Sequence, residues 1–395
     1  MTDAVVAILD RLIGFDTVSA KSNLDLIEWV ADYLDGHGVA SQLTRSDDGA
    51  KANLFATIGA ATGPGIGSGE GGGVILSGHT DVVPVEGQDW ASDPFRLEAR
   101  GDHLYGRGAA DMKGFLALCL ALVPRALAQP LKVPLHLALS YDEEVGCLGV
   151  PSLIRSLPDG IARPRLAIIG EPTGMQVANA HKGIHFLRTR VSGHEAHSSM
   201  PERGVNAICA AAEIIAEIGR LAAECRAAAG ADSRFDPPYT SFNIGRIAGG
   251  AAVNIIARDC AFDWEFRPVP GADGAALQRR IEEFVTGDLL PRMRAGHAYA
   301  TVATETMALV PPLVPDPVSP AEALARELTG ANEATTIAFA TEAGLFQAAG
   351  IPAVICGPGS IAVAHQPNEF ITGDELAAGA AFLDRLLAWA QRGEG

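Results

Sequence analysis

Histidines and acids recur where apolar runs of this chain end. "ILSGHTD" (75–81) closes such a run with His79 and Asp81. Asp111 lies in "YGRGAADMKG", just ahead of an apolar stretch. Glu143 and Glu144 end "PLHLALSYDEEVG", Glu171 ends "RLAIIGEPTG", and His365 follows "IPAVICGPG". Burying so many carboxylates together is costly unless a cation neutralises them. Imidazole nitrogens and carboxylate oxygens are the donor set of a borderline divalent metal, zinc first, then cobalt or manganese. There is no H-E-x-x-H helix. His181 and His185 are four apart, but on an alternating segment, so they read as structural or solvent-exposed and not as a ligand pair.

Those groups need a rigid edge to converge on. Residues 2–13 and 23–37 have helical spacing, with Ser22-Asn23 as a cap. "SQLTR" and "ANLFATIG" alternate as strands do. "GVILSGHTDVV", "PLHLALSYDEEVG" and "RLAIIGEPTG" read as buried strands, with the apolar helix "GFLALCLALVPRALA" between the first two and a short helix near 149–156. This order predicts an α/β fold, a mixed sheet flanked by helices, with ligands bound outside the carboxyl ends of the strands. From about residue 177 the pattern becomes half-exposed and antiparallel. "GIHFLRTRVSG", a helix (204–225), "TSFNIGRIAGG", "DCAFDWEFRPV", a helix (274–284) and "HAYATVATETM" give β-α-β-β-α-β, a ferredoxin-like α+β insert. A helix at 321–329, the strand "IPAVICGPG" and a last helix at 373–392 then resume the α/β pattern. The expected domains are a discontinuous one, 1–176 plus 309–395, and an inserted one, 177–308.

With 395 residues and 48% hydrophobic content, the chain can build more than one core. Its net charge of −17 and the lack of any Lys/Arg run make nucleic acid and anionic membranes poor partners. The six cysteines are scattered and form no C-x-x-C pair, so they read as reduced thiols. The first fifteen residues carry Asp3 and Asp10 and no basic start, and no uncharged run is long enough to span a bilayer. These features point to the cytoplasm. Gly67, Gly69 and Gly72 match G-x-G-x-x-G within the loop expected over 61–73, but they precede a strand instead of joining a strand to a helix, so nucleotide binding is set aside.

Read in order, "ILSGHTDVVPV", "LYGRGAADMKGF", "DEEVGCLG", "IIGEPT", "AHKG", "GHEAHSSMPERGVNAI" and "GPGSIAVAHQPNEF" resemble the dinuclear zinc deacylases and peptidases that include acetylornithine deacetylase, succinyl-diaminopimelate desuccinylase, aminoacylase and several carboxypeptidases. The resemblance covers nearly the whole chain. "SNLDLIEWVADYL", "AHKG", "HSSMPERGVNA" and the closing "AHQPNE" point within that family to the acetylornithine deacetylases.

The resemblance implies a zinc-peptidase-like catalytic domain and two divalent cations. His79 and Glu171 would hold one, Glu144 and His365 the other, and Asp111 would bridge them. It implies a cis peptide at Asp111-Met112, Glu143 as general base, and Asp81 bonded to the far nitrogen of His79. The insert would act as lid and dimerisation domain of a homodimer. His197 would support the oxyanion in the partner subunit's site, while Asn254 and Arg267 would contact substrate. Glu265 stands where many relatives have Asp, and Ala340 precedes "TEAG" where related deacetylases often differ, so substrate identity stays open. The implied reaction removes the acyl group of an N-acyl amino acid, first N2-acetyl-L-ornithine. Succinyl-diaminopimelate, another N-acyl amino acid and a dipeptide are the alternatives. A metal-stabilised binding protein without turnover is the alternative of another class, and retention of Glu143 argues against it. No G-x-S-x-G elbow supports a serine hydrolase.

Overall fold

The computed structural model describes residues 2–59, 72–157, 163–230 and 233–393. In chain order, α1 (Thr2–Ile13) and α2 (Leu24–Gly36) precede β1 (Ser41–Arg45), β2 (Ala52–Ile58), β3 (Val74–His79), β4 (Glu98–Arg100) and β5 (His103–Tyr105). Next come α3 (Gly114–Leu127), β6 (Leu135–Ser140), α4 (Val150–Arg155), β7 (Leu166–Pro172), β8 (Ala178–His181) and β9 (Ile184–Ser192). They are followed by α5 (Ala207–Ala227), β10 (Ser241–Gly249), β11 (Asp259–Arg267), α6 (Gly274–Phe284), α7 (Leu290–Gly296) and β12 (Thr301–Val310). The chain closes with α8 (Pro320–Thr329), β13 (Thr335–Ile337), α9 (Ala343–Ala348), β14 (Ala353–Gly357), β15 (Phe370–Thr372) and α10 (Gly373–Arg392).

Two compact units emerge. One comprises Met1–Ala180, Pro315–Thr336 and Thr341–Gly395, the other His181–Val314 and Ile337–Ala340. The first carries a mixed sheet in the order β1-β2-β6-β3-β7-β14-β8-β13. Its centre, β6, β3, β7 and β14, is parallel. β2 joins β6 antiparallel, and β8 joins β14 antiparallel. Every residue of those four central strands is buried, which is why they are unbroken apolar runs without alternation. Helix α3 is apolar nearly all round and buried along most of its length, as such a helix must be. Each fully buried Leu or Phe contributes roughly 1.5–3 kcal/mol.

In the second unit the antiparallel sheet runs β10-β11-β9-β12. Cys260, Phe262, Trp264 and Phe266 of β11 alternate inward, onto Ile214, Ile218, Ile281 and Leu289 of the helical layer. The Trp264 indole donates to Thr189 Oγ1 at 3.0 Å, so its one polar atom is satisfied.

Differences from expectation have specific causes. Ser22 Oγ accepts the Leu24 N–H, but Asn23 does not cap α2. Its side chain instead exchanges hydrogen bonds with the Ala52 backbone and reaches Thr80 Oγ1. Past α6 the chain continues helically through a wide turn at Val285–Leu289 into α7, a continuation that Gly287 and Pro291 hide in the sequence. His181 and His185 lie on separate strands and both are buried, which removes the solvent-exposed reading. Gly72 leads into β3, while residues 60–71, with Gly67, Gly69 and most of the expected loop, lie outside the described residues. All six cysteines are free. Among the described residues no helix is long and apolar enough to cross a membrane.

Candidate metal centre

Strands β3, β6 and β7 end side by side, with His79 level with Ser140. His79 is therefore the last residue of one parallel strand, Glu143 and Glu144 follow the next, and Glu171 lies near the end of the third. The ligand atoms of His79, Glu143 and Glu171 lie within 4.8 Å of one another, and so do those of His79, Asp111 and Glu144. Asp111 enters through the turn that opens α3, after Gly108 in the left-handed region, and its peptide to Met112 is cis. Close approach of that turn to the strand ends requires glycine. A Cβ on Gly78 would lie 2.7 Å from Met112 Cε, and one on Gly170 would lie 2.1 Å from the Phe115 ring. Each of these glycines directly precedes a candidate ligand, His79 or Glu171.

The two oxygens of Asp111 face different histidines. Oδ1 is 3.1 Å from His79 Nε2, and Oδ2 is 3.3 Å from His365 Nε2. His365 Nε2 also lies 3.0 Å from Glu144 Oε2. On the other side, His79 Nε2 is 3.9 Å from Glu171 Oε1, a buried oxygen with no hydrogen-bond partner among the described residues.

Burial and mutual repulsion dominate the electrostatics. Burial raises the Glu143 and Glu171 carboxyls well above the ordinary range, and neighbouring acids add to the effect. Burial and the charge of Asp111 push Glu144 up to about 7. Burial also opposes the Asp111 carboxylate, but the hydrogen bonds from His365 and His79 outweigh it and hold that group low. Hydrogen bonds to Asp111 and Glu144 push His365 up to about 10. Burial disfavours the imidazolium of His79, yet Asp111 and the acids around it raise its pKa well above the ordinary value. Acids that must hold protons to coexist form a site short of positive charge.

A divalent cation fits that shortage. The donor set is nitrogen and oxygen, the bridging geometry of Asp111 offers one oxygen to each side, and Glu171 Oε1 lacks a partner. No thiolate competes, because the nearby Cys147 thiol donates to Glu143 Oε1 at 3.3 Å and burial raises its pKa. The residues present can hold two cations, one on each side of Asp111.

Asp81 works differently from expectation. The far nitrogen of His79 donates to the backbone carbonyl of Asp81 at 2.9 Å, while the Asp81 carboxylate is 3.7 Å away. That carboxylate accepts the Ser19 hydroxyl at 2.7 Å and the backbone N–H groups of Glu143 and Glu144 at 3.1 and 3.3 Å. It is nearer to the turn carrying the two glutamates than to the imidazole, because that turn presents two backbone N–H donors to it.

Two buried acids escaped the sequence reading. Glu342 accepts the hydroxyls of Ser77 (2.8 Å) on β3 and Ser140 on β6, directly behind the strand ends. Glu369 accepts Arg107 and the backbone N–H groups of Gly108, Ala110 and Asp111. Their only sequence signals are an acid inside "TEAG" and another closing "HQPNE".

His197, Asn254 and Arg267 belong to the second unit. His197 and Asn254 are neighbours there, since the Ser198 N–H donates to the Asn254 carbonyl at 3.0 Å and His197 bridges Ile255. The Arg267 guanidinium forks onto Glu265 at 3.1 and 3.3 Å.

Residues 75–389 match the model of peptidase family M20/M25/M40. An acetylornithine deacetylase of Myxococcus xanthus is 34% identical over 391 residues, covering 98% of this chain and 97% of the relative. Among solved structures, a family M20 metallo-carboxypeptidase of Sulfolobus solfataricus superposes with a TM-score of 0.75 at 18% identity, covering 97% of this chain and 98% of that one. A Bacillus subtilis protein described as a dinuclear metal-binding peptidase of the same family superposes with a TM-score of 0.62 at 14% identity, covering 99% and 98%.

Proposed function

This chain belongs to peptidase family M20/M25/M40, and from that premise we propose that it hydrolyses the amide of an N-acyl amino acid, first N2-acetyl-L-ornithine, to give L-ornithine and acetate. Family membership makes it a metal-dependent hydrolase of amide bonds. The substrate reading is supported by the acetylornithine deacetylase relative, matched over nearly its full length. Such an activity belongs to arginine biosynthesis. A cytoplasmic setting agrees with six free thiols.

The observation that carries the mechanism is the pair of histidines on opposite oxygens of Asp111. His79 and Glu171 would hold one divalent cation, zinc first, then cobalt or manganese; Glu144 and His365 would hold the other; Asp111 would be shared. When bound, such a pair polarises the scissile carbonyl and lowers the pKa of water from about 15.7 toward about 7. Glu143 takes the proton of the attacking water. Burial raises its proton affinity above that of an ordinary carboxylate, the direction a general base needs. The Cys147 thiol donates to Glu143 Oε1 and helps to fix the orientation of the carboxylate. The water oxygen bonds to the acyl carbon, the C–N bond breaks, and Glu143 hands its proton to the departing amine. Asp81 keeps Glu143 and Glu144 on their turn through two backbone N–H groups. The His79 tautomer is set by the Asp81 carbonyl, which leaves Nε2 free to ligate.

In the second unit we assign His197 to the oxyanion and Asn254 and Arg267 to the substrate, on the strength of the motifs that carry them. A substrate carboxylate would have to share Arg267 with Glu265. We read this unit as the lid and dimerisation domain of a homodimer. The test is a kinetic comparison of acetylornithine, succinyl-diaminopimelate and acetylmethionine with metal content measured on the same sample. Acetylornithine is expected to have the highest kcat/KM. A metal-loaded protein that cleaves none of the three contradicts the proposal.

A further inference from the structure

The two cation positions are built from unequal materials. His79 and Glu171 lie on buried parallel strands, and the His79 side chain is 1% exposed. His365 lies on the loop after β14, its side chain is 48% exposed, and its φ of 62° is one that non-glycine residues rarely adopt. Nothing within that loop explains how His365 Nε2 is kept 3.3 Å from Asp111, a residue on a different segment.

A hydrogen-bonded chain running through Arg107 does. Glu369 Oε1 accepts the N–H groups of Ala110 and Asp111 at 2.9 and 3.0 Å, and Oε2 accepts Gly108 N–H at 3.0 Å and Arg107 at 2.7 Å. Both oxygens are thus spent on the turn that carries Asp111. Arg107, itself buried, donates its other terminal nitrogen to Gln88 Oε1 at 2.5 Å and lies 5.1 Å from the centre of the Trp90 ring. Trp90 Nε1 donates to the same Gln88 oxygen at 3.1 Å. Two donors on Oε1 fix the amide orientation, so Gln88 Nε2 must point the other way, and it donates to the His365 backbone carbonyl at 2.9 Å. Asn368 adds a second stitch, accepting Ala91 N–H at 2.8 Å.

We propose that Gln88, anchored through Arg107 and Glu369, is a positioning residue that sets His365 against Asp111, and thereby tunes the affinity of the Asp111–Glu144–His365 position for its cation while leaving the His79–Glu171 position almost untouched; Glu369, which holds the turn of the shared Asp111, acts on both. This rests on the two-cation reading above. Partners that orient metal ligands are commonly worth 10–100-fold in affinity, and here the structure predicts that the effect is confined to one of two adjacent sites.

Gln88→Glu is the cleanest variant, because it keeps the size and the oxygen that faces Arg107 and Trp90 but sets an oxygen against the His365 carbonyl. Glu369→Gln attacks the other end. The full-length protein, stripped of metal, is titrated with zinc by calorimetry and with cobalt by visible absorption. The unaltered protein is expected to show two binding events. Gln88→Glu is expected to weaken one of them by about tenfold or more, to leave the other within about threefold, to keep the melting temperature of the stripped protein, and to regain turnover when metal is raised. Two unchanged events, or two equally weakened ones, overturn the positioning role. Fewer than two events in the unaltered protein overturn the two-cation reading itself, and this inference with it. If Glu369→Gln does not fold, Gln88→Glu, on a half-buried loop residue, still decides.

Discussion

His79 donates its Nδ1–H to the backbone carbonyl of Asp81 at 2.9 Å, while the Asp81 carboxylate stands 3.7 Å off and accepts the N–H groups of Glu143 and Glu144. The main chain of Asp81 thus orients the proposed ligand His79, and its side chain holds the turn of the proposed base Glu143. Asp81→Ala keeps the carbonyl and removes the carboxylate. It is expected to lower kcat by about 10–100-fold with little change in the affinity of the cation on His79. Steady-state kinetics beside a metal titration will separate the two. Loss of that cation with an unaltered kcat would reverse the assignment.

Half-buried Glu143 lies beside the ligand atoms of His79 and Glu171, and the proposed mechanism uses it as the base. Glu143→Ala is expected to lose roughly 10²–10⁴-fold in kcat while elemental analysis still finds two cations per chain. Turnover equal to that of the unaltered protein would remove Glu143 from the mechanism.

Stripping the metal should leave a pH signature. Folding raises Glu144 from 4.5 to about 7 and His365 from 6.5 to about 10, and raises Glu143, Glu171 and His79 as well. Above their unfolded values, the folded state holds protons that the unfolded chain has released, so the stability these groups supply is lost as pH climbs through the folded values. Asp111 shifts the other way, but its window lies below its ordinary value of 3.8. The melting temperature of the stripped protein is expected to fall between about pH 6 and pH 9, and saturating zinc to flatten that slope, because cations replace the displaced protons. A stripped protein that gains stability over this range would contradict the electrostatic picture.

Gly170 touches the Phe115 ring where β7 meets α3, and an added Cβ would lie 2.1 Å from it. Gly170→Ala is expected to cost about 1–3 kcal/mol of stability, the usual penalty for overpacking, and to loosen Glu171, the next residue. Urea denaturation measures the first effect and zinc titration the second. A neutral substitution would mean that α3 can retreat freely.

Some of this was readable in the sequence because it is local. The buried strands announced themselves as unbroken apolar runs, and His79, Glu143, Glu144 and Glu171 sit where those runs stop. The last helix, Gly373–Arg392, was visible from its spacing, and the structure adds the capping box of Thr372 and Glu375. Short elements left no period to detect, as with β4, β5, β13 and β15, each of three residues.

Other features were hidden because their partners are far along the chain. Glu342 meets Ser77 and Ser140, and Glu369 meets the turn at 108–111. An acid whose partners are serine hydroxyls or backbone N–H groups, hundreds of residues away, has no local signature. Asn23 misled for the same reason: it stands where a helix cap belongs, but its amide is used on β2.

The central claim is that Asp111 is shared by two divalent cations. Anomalous diffraction from a crystal of the zinc-loaded protein tests it most directly. Two peaks are predicted, one among Asp111, His79 and Glu171 and the other among Asp111, Glu144 and His365. A single peak, or zinc bound away from Asp111, would contradict it.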